Sequence, residues 1–139
     1  MIRTTNINTL TVSKIAGTFP ADAPVCMVNL LRYREYADYN NAAGQSPCSG
    51  REVYFHRYVR EFNKIAANEG VKVLFLGNIK AGIVAPEGEQ WDDIAIIEYP
   101  SYDVFRRIVE SAEYIADAEP HRKAALEDWR LIATNSIQF

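Results

Sequence analysis

The change in hydrophobic spacing at Pro100 is the feature that most constrains the fold of this chain. Before it, residues 92–99 (DDIAIIEY) are apolar at both alternating positions, which is typical of a strand buried on both faces. After it, Ser101 is a favourable helix N-cap, and apolar residues recur at spacings of three and four. The sequence therefore predicts a strand stopped by proline and then a helix that buries Val104, Phe105, Ile108, Val109 and Ala112.

A second strand and helix precede this unit. Pro24 is followed by VCMVNLLRYR, whose apolar and β-branched content predicts a strand from about Val25 to Tyr33. Ser49 and Gly70 supply the start and stop signals of a helix, because Glu52 completes a capping box with Ser49. Helical spacing predicts that one face is apolar, with Phe55, Tyr58, Val59, Phe62, Ile65 and Ala66, and that the other is polar, with Glu52, His56, Arg60 and Asn63.

The remaining segments complete an α+β fold. A strand is predicted at residues 71–79 (VKVLFLGNI), a short helical piece at residues 121–128 (HRKAALED) and a last strand at residues 129–134 (WRLIAT). The connection between the second and third strands is too short for a crossover helix, so these strands are expected to pair antiparallel. The order strand, helix, strand, strand, helix, strand is that of the ferredoxin-like split βαβ (βαββαβ) fold with a four-stranded antiparallel sheet.

The length of the chain predicts one domain over residues 1–139. Its core is expected at residues 24–134, and residues 1–23 form an N-terminal extension with a short peripheral helix. Residues 35–50 are polar and long for a connection in a compact domain. Loops of this length are usually functional lids or mobile insertions.

The first and third strands are apolar on both faces, yet two helices cover only one face of a four-stranded sheet. The other face would expose an apolar patch of a size that monomers rarely tolerate. We therefore predict a homodimer in which two sheets face each other and enclose a cavity. If the odd positions of the first strand face this cavity, Met27, Asn29 and Leu31 line it.

The charge pattern argues against nucleic acid as a partner. Fifteen Lys and Arg residues stand against eighteen Asp and Glu residues, in mixed sign, so the net charge is −3 and a basic face is not expected. The N-terminus lacks the apolar core of a signal peptide, and no apolar run approaches the length that spans a bilayer. We expect a cytoplasmic protein without a membrane partner.

The cysteines and histidines do not have metal-site spacing. Cys26 and Cys48 are far apart and are interpreted as free thiols, with Cys26 filling the core. His56 and His121 have no acidic cluster at ligand spacing, so a metal is not expected. No phosphate loop or nucleophile elbow is present, and no cofactor is predicted.

Several spaced motifs resemble a known family. They are PVCMVNLLRYRE, the pair Tyr54 and Tyr58 after the capping box, GEQWDDIAIIEYPS and HRKAALEDWRLIAT. Together, over roughly Pro24 to Thr134, they resemble the domain of unknown function 1330 family, a member of the dimeric α/β-barrel group. The resemblance implies a ferredoxin-like fold and dimerisation, and it implies no reaction.

Two residues are candidates for acid–base catalysis. Glu98 interrupts an apolar strand, and a carboxylate held among Ile94 and Ile96 would have a raised pKa and could act as a general base. His121 follows Pro120 and could serve as acid or base. The alternatives are structural: Glu98 could pair with Arg32 near a strand end, and His121 could be a surface histidine.

Five further residues are candidates for substrate binding. Asn29 could orient a substrate oxygen, Arg122 could clamp an anion, and Arg32 is a further polar group expected to reach the cavity. Tyr58 could lend its hydroxyl to a pocket, and Trp91 could form a wall of it. Aromatic residues at helical spacing are more often core, so Tyr58 is also expected simply to pack with its hydroxyl satisfied.

Three functions fit these residues. The leading hypothesis is a cofactor-independent enzyme that transfers protons on a small polar or anionic organic molecule, as an isomerase, cyclase or lyase. The first alternative is a non-catalytic ligand-binding or sensing dimer. The second is a haem-binding or cofactor-free monooxygenase-type barrel, which rests on analogy with the wider dimeric α/β-barrel group at the level of fold.

Overall fold

A computed structural model describes residues 2–40 and 47–139. Its four strands form one sheet in the spatial order β2-β3-β1-β4, and every neighbouring pair is antiparallel. This order and the helical layer confirm the predicted α+β, ferredoxin-like fold. The strands are β1 (Val25–Tyr33), β2 (Lys72–Asn78), β3 (Asp93–Tyr99) and β4 (Leu126–Thr134).

Two long helices and two short ones cover one face of the sheet. Helix α2 runs over residues 50–66 and contains a π turn at Tyr54–Tyr58. Helix α4 runs over residues 112–125 and contains a second π turn at Tyr114–Ala118. The shorter helices are α1, Thr9–Lys14, which is followed by a 3₁₀ turn at Ala16–Thr18, and α3, Tyr102–Val109.

The capping signals lie where the sequence predicts them. The Ser49 hydroxyl accepts a hydrogen bond from the Glu52 backbone N–H at 3.1 Å, at the start of α2. The Ser101 hydroxyl accepts one from the Val104 backbone N–H at 3.2 Å, at the start of α3. Each cap satisfies a backbone donor that the first helical turn leaves without a partner.

The last helix is longer than predicted, and β4 begins earlier. Pro120 and His121 lie inside α4 rather than at the start of a short helical piece. A proline inside an α-helix removes one N–H donor and clashes with the preceding turn, which is why a helix is not expected across it. Here a wide π turn precedes the proline, with the Glu119 N–H bonded to the Tyr114 carbonyl.

The alternation in β1 runs opposite to the expectation. Met27, Asn29 and Leu31 lie on the helix-covered face and are almost fully buried, so the prediction that they face away from the helices is wrong. Asn29 is directly opposite Ala95, and residues opposite each other in an antiparallel pair share a face. Because β1 is apolar on both faces, its sequence does not show which face meets the helices.

The other face of the sheet carries no covering element from the described residues. Cys26 and Glu98 are opposite each other on this face, so Cys26 is half-buried rather than part of the core. Burial and the nearby Glu98 carboxylate raise the pKa of the Cys26 thiol. The apolar side chains of the open face are Val28, Leu30, Phe75, Ile94, Ile96 and Ile132.

Gly50 fixes the start of α2 against the end of α4. Its N–H bonds to the Arg34 carbonyl at 3.0 Å, and the Arg34 N–H bonds to the Ala125 carbonyl at 2.9 Å. A Cβ at Gly50 would lie 2.4 Å from both carbonyl oxygens, so only glycine fits this approach.

The N-terminal extension packs on the core. The Trp129 N–H donates to the Thr4 carbonyl at 3.0 Å, and the Tyr102 hydroxyl donates to the Val12 carbonyl at 2.6 Å. The predicted lid or insertion at residues 35–50 falls partly on residues 41–46, which lie outside the described residues. In the described part of the chain, no helix has the length and apolar character needed to cross a membrane.

Candidate functional site: a tyrosine-lined cavity under the helices

A cavity of about 450 Å³ lies between the helices and the sheet, a size typical of ligand pockets. All four strands contribute to its floor, α2 forms one wall, and α3 and α4 form the other. Its lining is mostly apolar, and aromatic residues dominate the walls. Its lining residues include Asn29, Tyr54, Tyr58, Val73, Leu76, Tyr99, Tyr114 and Trp129.

A buried chain of hydrogen bonds reaches the cavity from Arg122. The Arg122 guanidinium is fully buried and donates from Nη1 to the Tyr114 hydroxyl at 2.6 Å. The Tyr114 hydroxyl is 2.9 Å from the Tyr58 hydroxyl. Arg122 also stacks on the Trp129 ring at 4.5 Å and donates from Nη2 to the Thr5 carbonyl at 3.1 Å.

The hydrogen-bonded series of Arg122, Tyr114 and Tyr58 has one hydroxyl proton more than its internal hydrogen bonds use. Arginine can only donate, so the Tyr114 oxygen accepts from Arg122. Tyr114 and Tyr58 then have two hydroxyl protons between them and one mutual hydrogen bond. Whichever tyrosine donates in that bond, one O–H remains without an acceptor in the described residues, and the guanidinium polarises it.

Two more hydroxyls line the same cavity. Tyr54 and Tyr99 are buried, and neither hydroxyl has a hydrogen-bond partner in residues 2–40 and 47–139. Burial, followed by the nearby Tyr114, raises the pKa of Tyr54, Tyr58 and Tyr99 far above the ordinary tyrosine value. These side chains therefore stay neutral at physiological pH and act as hydroxyl donors rather than bases.

Asn29 is held in one orientation on the cavity floor. Its side-chain oxygen accepts from Trp129 Nε1 at 3.0 Å, and its amide nitrogen donates to the Ala95 carbonyl at 3.3 Å. Asn29 lines this cavity, but its amide is already hydrogen-bonded to β3 and β4. Asn29 therefore orients Trp129 and contributes a fixed dipole to the floor.

The two π turns set the direction of the tyrosines. Tyr54 and Tyr58 bound the π turn of α2, and Tyr114 begins the π turn of α4. A π turn inserts a residue into the helix and rotates the side chains around it, and such turns are frequent at functional sites. Regular helical spacing therefore could not identify Tyr114 as a cavity residue. A prediction that the helix continues through Pro120 would have placed Tyr114 and Arg122, eight positions apart, near the same helix face.

His121 does not line the cavity. Its Nδ1 is 2.7 Å from the Tyr39 hydroxyl, which also accepts from Arg57 at 3.1 Å. Burial, and then the Arg57 charge, lower the pKa of His121, while Glu61 raises it to a lesser degree. The neighbouring Arg122 is the residue that reaches the cavity, through Tyr114.

The other predicted site residues are spread over the molecule. Glu98 lies on the open face of the sheet, opposite Cys26 and Lys72. Arg32 is 3.4 Å from Glu127, and the Arg130 guanidinium covers the Trp91 ring at 5.1 Å. Among the predicted residues, the structure therefore brings Asn29, Tyr58 and Arg122 together. In the described residues, no group of three or more His, Cys, Asp or Glu side chains could hold a metal ion.

The fold and the site define a small ferredoxin-like α+β domain with a ligand-sized cavity between its helices and its sheet. The family described as "Domain of unknown function (DUF1330)" matches residues 49–135, so the chain belongs to this family and the resemblance is confirmed. The match begins at the capping box, and the motif at residues 24–35 lies before it.

Solved structures support the fold assignment. Two crystal structures of the protein RPA0582, one of a methylated form and one described as a protein of unknown function from Rhodopseudomonas palustris, are 28% identical to this chain. Their TM-scores are 0.86 and 0.82, and the alignments cover 99% of this chain and 98% and 99% of theirs.

More distant structures show the fold alone. A Dabb family protein with a ferredoxin-like fold from Mesorhizobium loti is 10% identical, with a TM-score of 0.50 over 83% of this chain and 98% of its own. A protein from Bacteroides fragilis is described as dimeric, with a ferredoxin-like fold, but its TM-score of 0.43 carries no argument about assembly here. Among curated proteins, none matches the sequence significantly.

Proposed function

We propose that the cavity under the helices binds a small organic molecule through an oxygen atom. The observation that carries this proposal is the uncommitted O–H of the Tyr58 and Tyr114 pair, polarised by the buried Arg122. A buried donor without an acceptor is unfavourable, so an oxygen-bearing ligand is the natural partner.

The charge around the cavity favours an anionic ligand. Arg122 is fully buried, and its nearest carboxylate, Glu119, is 3.6 Å away and partly exposed. At that distance the Glu119 carboxylate only partly balances the positive charge of Arg122. The described residues that line the cavity carry no charged side chain. A carboxylate or enolate at the tyrosine pair would complete the charge balance inside the protein.

A catalytic role is the second candidate, because a preorganised, polarised hydroxyl is the kind of group that stabilises a developing enolate. Proton-transfer chemistry of the isomerase, cyclase or lyase type would also need a base. Glu98 and His121 do not line the cavity, and the tyrosines remain protonated. Binding or sensing therefore ranks first, and the catalytic roles of Glu98 and His121 stay predictions, as do the haem-binding and monooxygenase alternatives.

The double replacement Tyr58→Phe/Tyr114→Phe tests the binding proposal, because either single replacement would leave one uncommitted O–H in place. Wild-type protein is titrated with 3-phenylpropanoate and 7-phenylheptanoate by calorimetry. Loss of the uncommitted O–H should weaken the binding of both ligands by about 10- to 100-fold, the typical effect of losing one hydrogen bond to a charged group. Tyr36→Phe is the matched control, because Tyr36 is 73% exposed and lies away from the cavity.

The proposal fails if neither carboxylate binds wild-type protein at millimolar concentration, or if the double variant Tyr58→Phe/Tyr114→Phe binds both as tightly as wild type. Thermal unfolding of both variants verifies that the near-isosteric replacements leave the fold intact.

The assembly that we propose is a homodimer, with a second copy covering the open face. This face carries Ile132, which is 47% exposed, and Phe75, which is 55% exposed, beside partly exposed residues of β1 and β3. Burial of such a face is the main driving force for association. The single-domain organisation, the cytoplasmic location and the lack of a nucleic-acid partner stay predictions.

A further inference from the structure

We propose that the ligand is an elongated monocarboxylate that enters head first, with its carboxylate over β4 and its apolar tail at the β2 edge. This inference rests on the proposed function, and it assigns the class and the orientation of the ligand. It follows from a gradient of polarity and exposure along the cavity.

The polar end of the cavity is its buried end. Tyr114 is 1% exposed and Arg122 is not exposed at all. Arg122 stacks on Trp129 of β4, so the guanidinium lies above that edge of the sheet. The uncommitted O–H of the Tyr58 and Tyr114 pair, together with the free hydroxyls of Tyr54 and Tyr99, gives three donors. Two carboxylate oxygens accept this number of hydrogen bonds readily.

The apolar end is the open end. Val73 and Leu76 lie on β2, the opposite edge of the sheet, where they are 65% and 52% exposed and still line the cavity. None of the described side chains at this mouth is charged. Most are apolar, and Asn63 and Asn68 are polar but neutral. A ligand whose charged group stayed at the mouth would find no opposite charge there.

The mouth has a fixed shape. The turn after α2 has two residues with positive φ, Asn68 at 65° and Gly70 at 78°. A Cβ at Gly70 would lie 2.8 Å from Cγ of Pro100, so the turn packs against the start of α3. This close packing holds the opening between the turn and β2 in place.

The length of the cavity selects an elongated molecule. The path from β4 to β2 crosses β1 and β3, and three spacings between strands amount to about 14 Å. A short carboxylate at the tyrosines therefore ends inside the cavity, whereas a longer one reaches Val73 and Leu76. Each methylene that gains contact with these side chains should tighten binding by up to about fourfold.

The test combines two ligand lengths with two matched variants of β2. Leu76→Thr changes a residue that lines the mouth, and Leu74→Thr changes one on the same strand that is 50% exposed and does not line the cavity. Threonine suits a strand and adds no charge, so long-range electrostatics stay constant. The affinities of 3-phenylpropanoate and 7-phenylheptanoate are measured for each protein by calorimetry.

We expect wild type to bind 7-phenylheptanoate at least tenfold more tightly than 3-phenylpropanoate. Leu76→Thr should remove most of that advantage without weakening the short ligand, and Leu74→Thr should leave both affinities unchanged. Equal affinity of wild type for the two ligands, an unchanged advantage in Leu76→Thr, or equal weakening of both ligands overturns the orientation. If the double variant Tyr58→Phe/Tyr114→Phe weakens the binding of both ligands in that case, the proposed function survives and only the head-first placement fails.

Discussion

Single residues show how burial changes the meaning of a polar side chain. Arg122 is recognisable in the sequence as a potential anion clamp, but its complete burial and its hydrogen bond to Tyr114 are visible only in the fold. Asp93 is similar: it is 2% exposed and accepts from the Tyr33 hydroxyl and from Asn78, each at 2.7 Å. Charged groups are buried only where such partners meet them.

His121 should make stability depend on pH. Burial and the Arg57 charge lower the pKa of His121 in the folded protein, and Glu61 opposes them weakly. The unfolded chain, with an ordinary histidine pKa of about 6.5, binds the proton more strongly. Stability should therefore fall as pH decreases below about 6.5. Thermal unfolding between pH 7.5 and 5.5 measures the slope.

His121→Asn should flatten this slope, because the asparagine oxygen can accept from Tyr39 without titrating. His56→Asn is the control, since His56 is the other histidine and is exposed on α2. A slope in His121→Asn equal to that of wild type would show that another group causes the dependence.

At the scale of elements, capping residues and hydrophobic periodicity predict where the helices start, but they do not predict the π turns inside the helices. The caps at Ser49 and Ser101 are present as predicted. The π turns of α2 and α4 are not predicted, because each inserts a residue that hydrophobic spacing does not reveal. These turns decide which tyrosines meet in the cavity.

Ser49→Ala should lower the free energy of unfolding by about 1 kcal/mol, because the cap satisfies a backbone donor at the start of α2. Denaturant unfolding measures the change. Ser136→Ala is the control, since Ser136 is exposed near the C-terminus, and its effect should stay within about 0.5 kcal/mol. Equal stabilities of the two variants would contradict the role of the cap.

At the scale of the whole molecule, the described residues 2–40 and 47–139 cover the sheet on one face only. Strands β1 and β3 are apolar at both alternating positions, so their second face needs a partner to leave water. The expectation of a homodimer came from the sequence alone, because it compares two main helices with a sheet that is apolar on both faces, and it stays a prediction.

Ile132→Lys should shift the protein from dimer to monomer, because a charge would be buried against the second copy. Light scattering coupled to size-exclusion chromatography measures the mass. Ile115→Lys is the control, because it is the same type of replacement. Ile115 is 53% exposed and Ile132 is 47% exposed, but Ile115 lies on α4, away from the open face. A wild-type monomer, or a dimer that survives Ile132→Lys, would refute the assembly.

The order of the strands along the chain and the helix caps were predictable from the sequence, because they depend on residues a few positions apart. The antiparallel pairing of β2 with β3 was predictable too, because the connection between them is too short for a crossover helix. The facing of β1, the buried environment of Arg122 and the meeting of Tyr58 with Tyr114 were decided by the tertiary structure. Tyr58 and Tyr114 are 56 positions apart and meet only after two helices, each with a π turn, pack on the same sheet. Such contacts depend on the packing of the whole chain, so local patterns do not specify them.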